Sequence, residues 1–540
     1  MVRLGRKLAG FALAAGLLIS PATFVRADEI LDWNATMRDI MQVRTDSYFA
    51  NPGYSTRSMA MANGAMFDIM MSFDKQYKPY LYNGTATTGA SQTAAMAQAS
   101  YTILNTLYGS AYAGAGNQLN DTAQAATIAI RLQNDVTTKL NSVVDVNARN
   151  AGIALGNQVA AQYLAARAND GMNVPVQYVP DPLQTPGRWQ PDPFWTSRPG
   201  ANPLQEQQAW GPNWGNVTPF VLPNNNPFPV AAPPALDSLE YKIAYDQVKD
   251  YGSYNSSVRT QDQTDIGVFW AYDRPTMGPP PILYSKNLEQ IGQAMGNSQV
   301  ENARLFTLVS LGMADAGVAS WEAKFTYDFW RPVTAIHKGA TDGNVLTDGD
   351  ASWRPLGAAG PDSNNHTDDF TPPFPALPSG HATFGGVTYE ILRQFYGTDA
   401  LNYTLTSDEM AAGSHMVAMS TLSPNDILAL RSAYGDAYVD AAVTAGQISI
   451  ANKMRMFNSF SEAEYENAIS RVYLGVHWSF DVTEGVYLGN EIGNYTYGNF
   501  LTAVPEPSTY ALIGTALVGA AWYRRRKNRA MPTLLQETLN

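Results

Sequence analysis

Basic, hydroxyl and imidazole side chains that could hold an oxyanion occur in three separate stretches of the sequence. The first, KFTYDFWRP, places Lys324 and Arg331 seven residues apart, so that both cations can project from one helix face. Two partly buried cations on one face repel each other unless an anion lies between them. A pair of this kind is also typical of a solvated helix face, so this stretch alone does not define a site.

The second stretch, FPALPSGHATFGG (374–386), places a hydroxyl and an imidazole at the start of an expected helix. Ser379 offers its hydroxyl, Gly380 lets a backbone N–H approach a ligand without a Cβ in the way, and His381 follows directly. A helix N-terminus favours an anion, and an imidazole beside that anion is suited to moving a proton near neutral pH. Four residues recur by chance, however, and a purely structural histidine is the alternative.

The third stretch, SRVYLGVHWSFD, adds a guanidinium and a histidine–carboxylate pair. Arg471 can bind two oxygens at once, and Asp481 follows His477 by four residues. That spacing lets the carboxylate accept a proton from one imidazole nitrogen and leaves the other lone pair to coordinate or attack. A surface arginine and an ordinary His-Asp contact are the alternative. Together the three stretches predict one site for a tetrahedral oxyanion.

The combined pattern resembles the superfamily of vanadium-dependent haloperoxidases and type 2 phosphatidic-acid-phosphatase-like (PAP2) acid phosphatases. The signature of that superfamily runs K-x6-R-P, then P-S-G-H, then S-R-x3-G-x-H-x3-D. The chain matches it at Lys324, Arg331, Pro332, Pro378, Ser379, Gly380, His381, Ser470, Arg471, Gly475, His477 and Asp481. The likeness extends over roughly residues 238–499, where the segments around the first two stretches look like those of fungal vanadium chloroperoxidases.

The resemblance implies vanadate as the cofactor and hydrogen peroxide, halide and small organic acceptors as substrates. His477 would ligate the metal, with Asp481 as its carboxylate partner, and His381 would relay a proton. The oxygens of vanadate would be bound by Lys324, Arg331, Ser379, Gly380 and Arg471, and Lys324 would also activate peroxide toward halide. The product would be hypohalous acid or a halogenated organic molecule. The oligomeric state is left open.

The surroundings of the signature distinguish the two branches, because vanadate and phosphate have nearly the same shape. By the resemblance, Trp321 and Phe374 would form the apolar wall of a halide pocket. Asp273, in FWAYDRP, would brace the pocket by pairing with an arginine, or would simply cap a helix end. In the phosphatase alternative, His477 attacks a phosphoryl group and His381 protonates the leaving alcohol. A surface protein with a vestigial, non-catalytic site is the third alternative.

Composition sets outer bounds on these interpretations. The chain has 540 residues, a net charge of −12 and no cysteine, so disulfides, thiolate metal sites and cysteine nucleophiles are excluded. Its scattered basic residues argue against a nucleic-acid partner. The chain has five histidines, and the three outside the signature, His337, His366 and His415, are interpreted as structural or solvated.

Apolar residues recur at intervals of three and four along most of the chain, notably in residues 54–73, 87–109, 145–170 and 301–325. Alternating strand patterns are hard to find. We therefore expect an all-α fold, two helical-bundle halves (residues 28–173 and 238–499) of the vanadium haloperoxidase or PAP2 type. A Pro- and Trp-rich connector, residues 174–237, joins them, and the site lies in the C-terminal half.

Both ends of the chain resemble sorting signals. Residues 1–27 combine early basic residues, an apolar run and a small-residue cleavage pattern, which is typical of a secretory signal peptide. Residues 504–530 resemble a PEP-CTERM segment: a Pro-Glu-Pro stretch, a short apolar run (510–523) and a basic cluster. The expected location is the surface or extracellular matrix of a Gram-negative bacterium, after transient membrane anchoring and exosortase-type cleavage, with a simple tail anchor as the alternative.

Overall fold

The computed structural model describes residues 28–43, 52–109, 122–194, 208–224, 226–272, 277–357, 371–410, 413–451, 453–505 and 524. Helices dominate these residues, as the sequence predicts. They are α1 (Glu29–Val43), α2 (Pro52–Phe73), α3 (Gln92–Tyr108), α4 (Thr122–Ser142), α5 (Val146–Ala166), α6 (Leu239–Tyr251), α7 (Gln261–Phe269), α8 (Pro281–Met295), α9 (Gln299–Tyr327), α10 (Pro332–Lys338), α11 (Gly380–Tyr396), α12 (Pro424–Tyr434), α13 (Asp436–Ala445), α14 (Phe460–Tyr473) and α15 (Ser479–Asn499).

Two long helices, α2 and α9, pack along each other. The Asn63 side chain of α2 donates to Ser310 Oγ of α9 at 3.0 Å, and the Thr307 hydroxyl of α9 donates to the Asn63 carbonyl. The methionine side chains of α2 lie in this core: Met59, Met61, Met66, Met70 and Met71 are all at most 7% exposed. Unbranched methionine fills the irregular space between the helices.

Glycines bring α15 unusually close to α11, the helix that begins at the second signature stretch. A Cβ on Gly485 would lie 2.6 Å from the Ser379 carbonyl oxygen, and one on Gly489 would lie 2.3 Å from that of Thr383. Both distances are far below contact, so only glycine allows this approach. The close packing holds the first turn of α11 against the first turn of α15, where Asp481 lies.

The predicted connector, residues 174–237, has no α-helix in its described part and lies against α9. Asp315 of α9 is fully buried, and its carboxylate accepts three consecutive backbone N–H groups, those of Phe220, Val221 and Leu222, at 2.6–2.8 Å. Burial raises the pKa of Asp315 to about 6, although the three hydrogen bonds oppose the shift. The connector is therefore pinned to the helix that carries Lys324.

Four short strands, which the sequence analysis did not find, lie between α11 and α14. β1 (Ala400–Thr406) pairs with β4 (Met454–Ser459), and β2 (Ser414–Ala418) pairs with β3 (Gln447–Ala451), both antiparallel. With α12 and α13 they enclose a small separate core of Leu430, Val439, Ala442, Ile448 and Ile450. Strands of five to seven residues give too few alternations to stand out among helical patterns.

The mainly helical fold is confirmed, whereas the exact boundaries of the two halves and the connector stay a prediction. Residues 1–27 lie outside the described residues, as does the apolar run at 510–523. Among the helices of the described part, none has the length and apolar character needed to cross a membrane.

Candidate active site

Lys324 lies in the last turn of α9, and its ammonium group is completely buried. The Nζ donates to the carbonyl oxygens of Pro375 (3.1 Å), Ala376 (3.0 Å) and Pro378, all in the segment just before α11. Burying an ammonium group is costly without such partners. The three carbonyls therefore fix the cation of the first stretch against the backbone of the second.

Arg331 reaches the same place from a different helix, so the prediction of one helix face for both cations is wrong. The α9 helix ends at Tyr327, Asp328 has a left-handed backbone (φ 51°), and Arg331 caps α10. The physical reason is Pro332, because a residue that precedes proline is pushed out of the helical region; Arg331 has ψ 153°. The loop, rather than the helical repeat, brings the two cations together.

The Arg331 guanidinium, only 1% exposed, connects the second and third stretches. Its Nε donates to the Phe374 carbonyl at 2.9 Å, and its Nη1 donates to the Val476 carbonyl at 2.8 Å. Nη1 also lies 2.9 Å from His477 Nε2. An arginine nitrogen can only donate, so His477 Nε2 carries a lone pair.

Asp481 holds the other side of the His477 ring, as the four-residue spacing predicts. Its Oδ2 lies 2.9 Å from His477 Nδ1 and accepts the Trp478 backbone N–H at 3.1 Å. His477 is therefore neutral, with its proton on Nδ1 and its lone pair on Nε2. Burial is the main cause that raises the pKa of the fully buried Asp481 to about 7.

Electrostatics at His477 reveal a strongly positive site. Its pKa lies well below the ordinary value, first because of burial and then because of the nearby charges of Arg331, Lys324 and Arg471. The same two causes, burial and Arg471, lower the pKa of His381. Three permanent cations thus act on two neutral imidazoles in a buried space, which is the charge pattern of an anion-binding site.

The second stretch forms the N-terminus of α11, as predicted. Ser379 is the N-cap residue, and its own N–H donates to the Asp481 carbonyl at 2.8 Å. A Cβ on Gly380 would meet Trp321 no closer than 3.5 Å, an ordinary contact, so no protein atom requires glycine there. The missing Cβ leaves space at the helix N-terminus, where backbone N–H groups attract an anion.

His381 and Arg471 meet at the backbone of the segment after α7. His381 Nε2 lies 2.9 Å from the Trp270 carbonyl, and Arg471 Nη1 donates to the Ala271 carbonyl at 3.3 Å. A carbonyl oxygen can only accept, so His381 Nε2 carries a proton. The backbone carbonyl of His381 accepts the Tyr284 hydroxyl at 2.8 Å and the Asn467 side-chain amide at 3.1 Å, so the first turn of α11 is fixed as well.

An aromatic wall lies beside Lys324. The centroids of the Trp321 and Phe374 rings are 4.8 Å apart, and Lys324 Nζ lies 5.5 Å and 5.1 Å from them, respectively. The Arg331 guanidinium also lies 5.0 Å from the Phe374 ring. The two residues that the sequence analysis assigned to a halide pocket are thus neighbours of the cationic site, on its apolar side.

The sequence analysis missed a third wall residue, Trp210, which comes from the connector. Its ring centroid lies 5.1 Å from that of Trp321 and 6.3 Å from that of Phe374. The connector has no helical or strand period that could assign a direction to a side chain. The only signal available was the density of tryptophan and glycine in AWGPNWG (209–215).

The other residues that the sequence analysis named are Asp273 and the three remaining histidines. Asp273 and His366 lie outside the described residues, as does the side chain of His415. His337 bonds the Trp353 carbonyl at 2.8 Å and packs against Phe194, as a structural histidine does. The described residues contain no group of three or more His, Cys, Asp or Glu side chains that could hold a metal ion. The resemblance implies a single protein ligand, His477, and one ligand would not form such a group.

The fold and the site together place a neutral histidine against buried cations in a helical protein, an arrangement that suits an oxyanion. Comparison with known proteins gives the class. Residues 304–504 match the model of the VCPO second helical-bundle domain. The chain is also 33% identical over 327 residues to vanadium chloroperoxidase from Curvularia inaequalis. That match covers 55% of this chain and 52% of the relative, so the chain spans about half the length of the relative it matches.

Solved structures agree on the fold. A bacterial vanadium-dependent iodoperoxidase matches with a TM-score of 0.62 and 21% identity, over 89% of this chain and 97% of that one. A holo-type bacterial vanadium-dependent chloroperoxidase matches with a TM-score of 0.54 and 16% identity, over 83% of this chain and 92% of that one. These two structures support the fold, and the matching domain model and the 33% identical relative confirm the predicted resemblance to vanadium haloperoxidases.

The predicted sorting signal at the C-terminus is confirmed as well. Residues 503–527 match the PEP-CTERM protein-sorting motif. This motif implies export of the protein and its sorting to the cell surface.

Proposed function

We propose that this protein is a vanadate-dependent haloperoxidase. The reaction consumes hydrogen peroxide, a halide ion and a proton, and yields hypohalous acid and water; an organic acceptor can then be halogenated. The observation that carries the proposal is the aromatic wall of Trp321 and Phe374 against Lys324, at the edge of the cationic site. An apolar wall strips water from a weakly held anion such as a halide. The names of the related proteins point the same way.

The residues fit vanadate. Lys324, Arg331 and Arg471 would neutralise the negative charge of its oxygens. The N-terminus of α11 would add backbone N–H donors, because Gly380 has no Cβ to fill the space there. The lone pair on His477 Nε2 would ligate the metal when its contact with Arg331 gives way. The bound group supplies Lewis-acid activation of hydrogen peroxide toward attack by halide.

Each residue of the site then has a distinct role. Asp481 holds the His477 proton on Nδ1 and so keeps the lone pair turned toward the cations. Lys324 is the cation of the site whose ammonium lies 5.5 Å and 5.1 Å from the two rings of the wall, so it would stabilise negative charge on the side of the site that the halide would approach. His381, whose pKa burial lowers, is neutral and able to take up a proton from peroxide.

Halogenation of monochlorodimedone by the mature protein tests the proposal, with peroxide and bromide, before and after orthovanadate is added. We expect vanadate-dependent turnover that orthophosphate suppresses. His477→Ala should abolish it because the only proposed metal ligand is lost. His337→Ala is the matched control, since His337 bonds the Trp353 carbonyl outside the site and its loss should leave turnover intact.

Two other outcomes would overturn the proposal. Hydrolysis of p-nitrophenyl phosphate without halogenation would assign the protein to the phosphatase branch, with His477 as the nucleophile. Failure to bind either orthovanadate or orthophosphate would indicate a non-catalytic surface protein. In either case the helical fold would stand, because it does not depend on the activity.

We also propose a route to the cell surface for this chain. Residues 1–27 would direct export, residues 510–523 would anchor the protein transiently in the membrane of a Gram-negative bacterium, and an exosortase would cleave near the Pro-Glu-Pro stretch. Intact mass measurement of the protein released from cells tests this route. A mature chain that begins at residue 28 and ends near residue 504 is expected, whereas a full-length membrane-bound chain would contradict it.

A further inference from the structure

The connector contributes a side chain to the aromatic wall that neither helical half provides. The Trp210 ring meets the Trp321 ring nearly at right angles (79°) and the Phe374 ring at 70°, both in T-shaped contacts. Trp214 follows four residues later in the connector, and its ring centroid lies 5.7 Å from that of Trp210. T-shaped contacts are the favoured arrangement of aromatic pairs. The three rings at the wall therefore restrain one another.

Backbone hydrogen bonds fix Trp210 to both segments that carry the wall. Its N–H donates to the Pro373 carbonyl at 2.8 Å, and its carbonyl accepts the Trp321 indole N–H at 3.3 Å. Gly211 makes this approach possible, because a Cβ there would lie 2.6 Å from Trp321 Nε1 and its φ is +76°. The connector is thus built to lie against the indole ring of Trp321.

Burial places Trp210 on the outer side of the wall. Lys324 and Trp321 are 0% and 1% exposed, whereas Trp210 and Phe374 are only partly buried. A substrate that reaches Lys324 from this side passes the rings of Trp210 and Phe374 first. Loss of the Trp210 ring would open the wall to water and free Trp321 to rotate.

We propose that Trp210 is a positioning residue that sets the halide preference of the site. It holds Trp321 and Phe374 in the orientation that excludes water beside Lys324, and so favours the binding of halides that lose their water shell at low cost. Larger halides hold water more weakly, so their binding depends most on this wall. The inference rests on the proposed haloperoxidase function.

Steady-state kinetics of Trp210→Ala and Trp210→Phe with chloride, bromide and iodide test the inference. For Trp210→Ala, KM should rise more for iodide than for bromide, by about fivefold, which corresponds to the loss of one aromatic pair. Trp210→Phe keeps a ring and should restore most of the preference. Trp33→Phe, at a buried tryptophan of α1 that makes none of these contacts, is the matched control. The affinity for orthovanadate should be unchanged in all three.

A readout that needs no turnover separates this inference from the proposed function. Crystals of the vanadate-free protein soaked in bromide should show an anomalous peak beside Trp321 and Phe374, present in Trp210→Phe and lost in Trp210→Ala. An inactive wild type that still shows this pattern would refute the haloperoxidase and retain the role of Trp210. Equal changes in KM for all halides, or a bromide peak that survives in Trp210→Ala, would overturn the role of Trp210.

Discussion

Removal of the Asp481 carboxylate should weaken the binding of orthovanadate without destroying the fold. In Asp481→Ala, His477 loses the acceptor of its Nδ1 proton, while Arg331 Nη1 still requires a lone pair at Nε2. The Nδ1–H is then buried without an acceptor, or the His477 ring turns so that the lone pair on Nε2 no longer faces the cations. Either result costs about 1–3 kcal/mol.

The expected loss of affinity follows from this contact. Removal of a partner that orients a metal ligand lowers affinity about 10- to 100-fold, or about 1.4–2.8 kcal/mol, in agreement with the cost of the unsatisfied N–H. Asp481→Asn should lose less, because both hydrogen bonds go to Oδ2 and an amide oxygen at that place can accept both. The charge is lost but the acceptor is kept.

Calorimetric titration of the vanadate-free protein with orthovanadate measures the effect, and orthophosphate serves as a second probe. Thr483→Val is the control: Thr483 is exposed on the same helix, and its hydroxyl bonds only the Ser479 carbonyl in the described contacts. An affinity of Asp481→Ala equal to that of wild type would refute the orientation of His477 by Asp481. Equal losses in Asp481→Ala and Asp481→Asn would show that charge, not the hydrogen bond, matters.

Two further predictions concern stability. Gly475→Ala should destabilise the protein by about 2 kcal/mol or more, because φ is +73° and the new Cβ would lie 2.5 Å from the Gly252 carbonyl oxygen. Urea unfolding measures the loss, with Gly498→Ala as the control, since a Cβ at Gly498 meets nothing within 4 Å. Equal unfolding midpoints of the two variants would contradict the prediction. Asp315→Asn removes a carboxyl whose pKa burial raises to about 6, so the stability that Asp315 contributes is present at about pH 4 and lost as pH rises through 6. The free energy of unfolding of wild type relative to Asp315→Asn should therefore fall by roughly 3 kcal/mol between pH 4 and pH 7, and a constant difference would refute the raised pKa.

The proximity of the side chains in the three signature stretches could be predicted because their types and local spacing suit one site, whereas their chemical roles stay a prediction. The four-residue step from His477 to Asp481 and the start of α11 at Gly380 both follow from short-range geometry. The helical step from Lys324 to Arg331 was wrong, since Pro332 forces a loop that helical spacing does not include. Local rules decide what a few neighbouring residues do, and they fail where a loop changes direction.

Trp210 could not be assigned because its role depends on contacts across long stretches of chain. The ring meets Trp321 and Phe374, more than a hundred residues away, and no periodic pattern in the connector predicts which way it points. The strands between α11 and α14 were missed for a related reason, since each depends on a partner strand rather than on its own composition. Both features arise from tertiary packing.

The buried methionines of α2 have a consequence under the proposed haloperoxidase function, which would release an oxidant. Hypohalous acid converts exposed thioethers to sulfoxides. The chain has no cysteine, so its 19 methionines carry all of its sulfur. Met61 and Met66 are 0% exposed, so a reagent reaches them only when the helix separates from the core. Sulfoxide at these two positions, measured by mass spectrometry after incubation with peroxide, halide and orthovanadate, would record how often α2 separates from its neighbours during the proposed reaction.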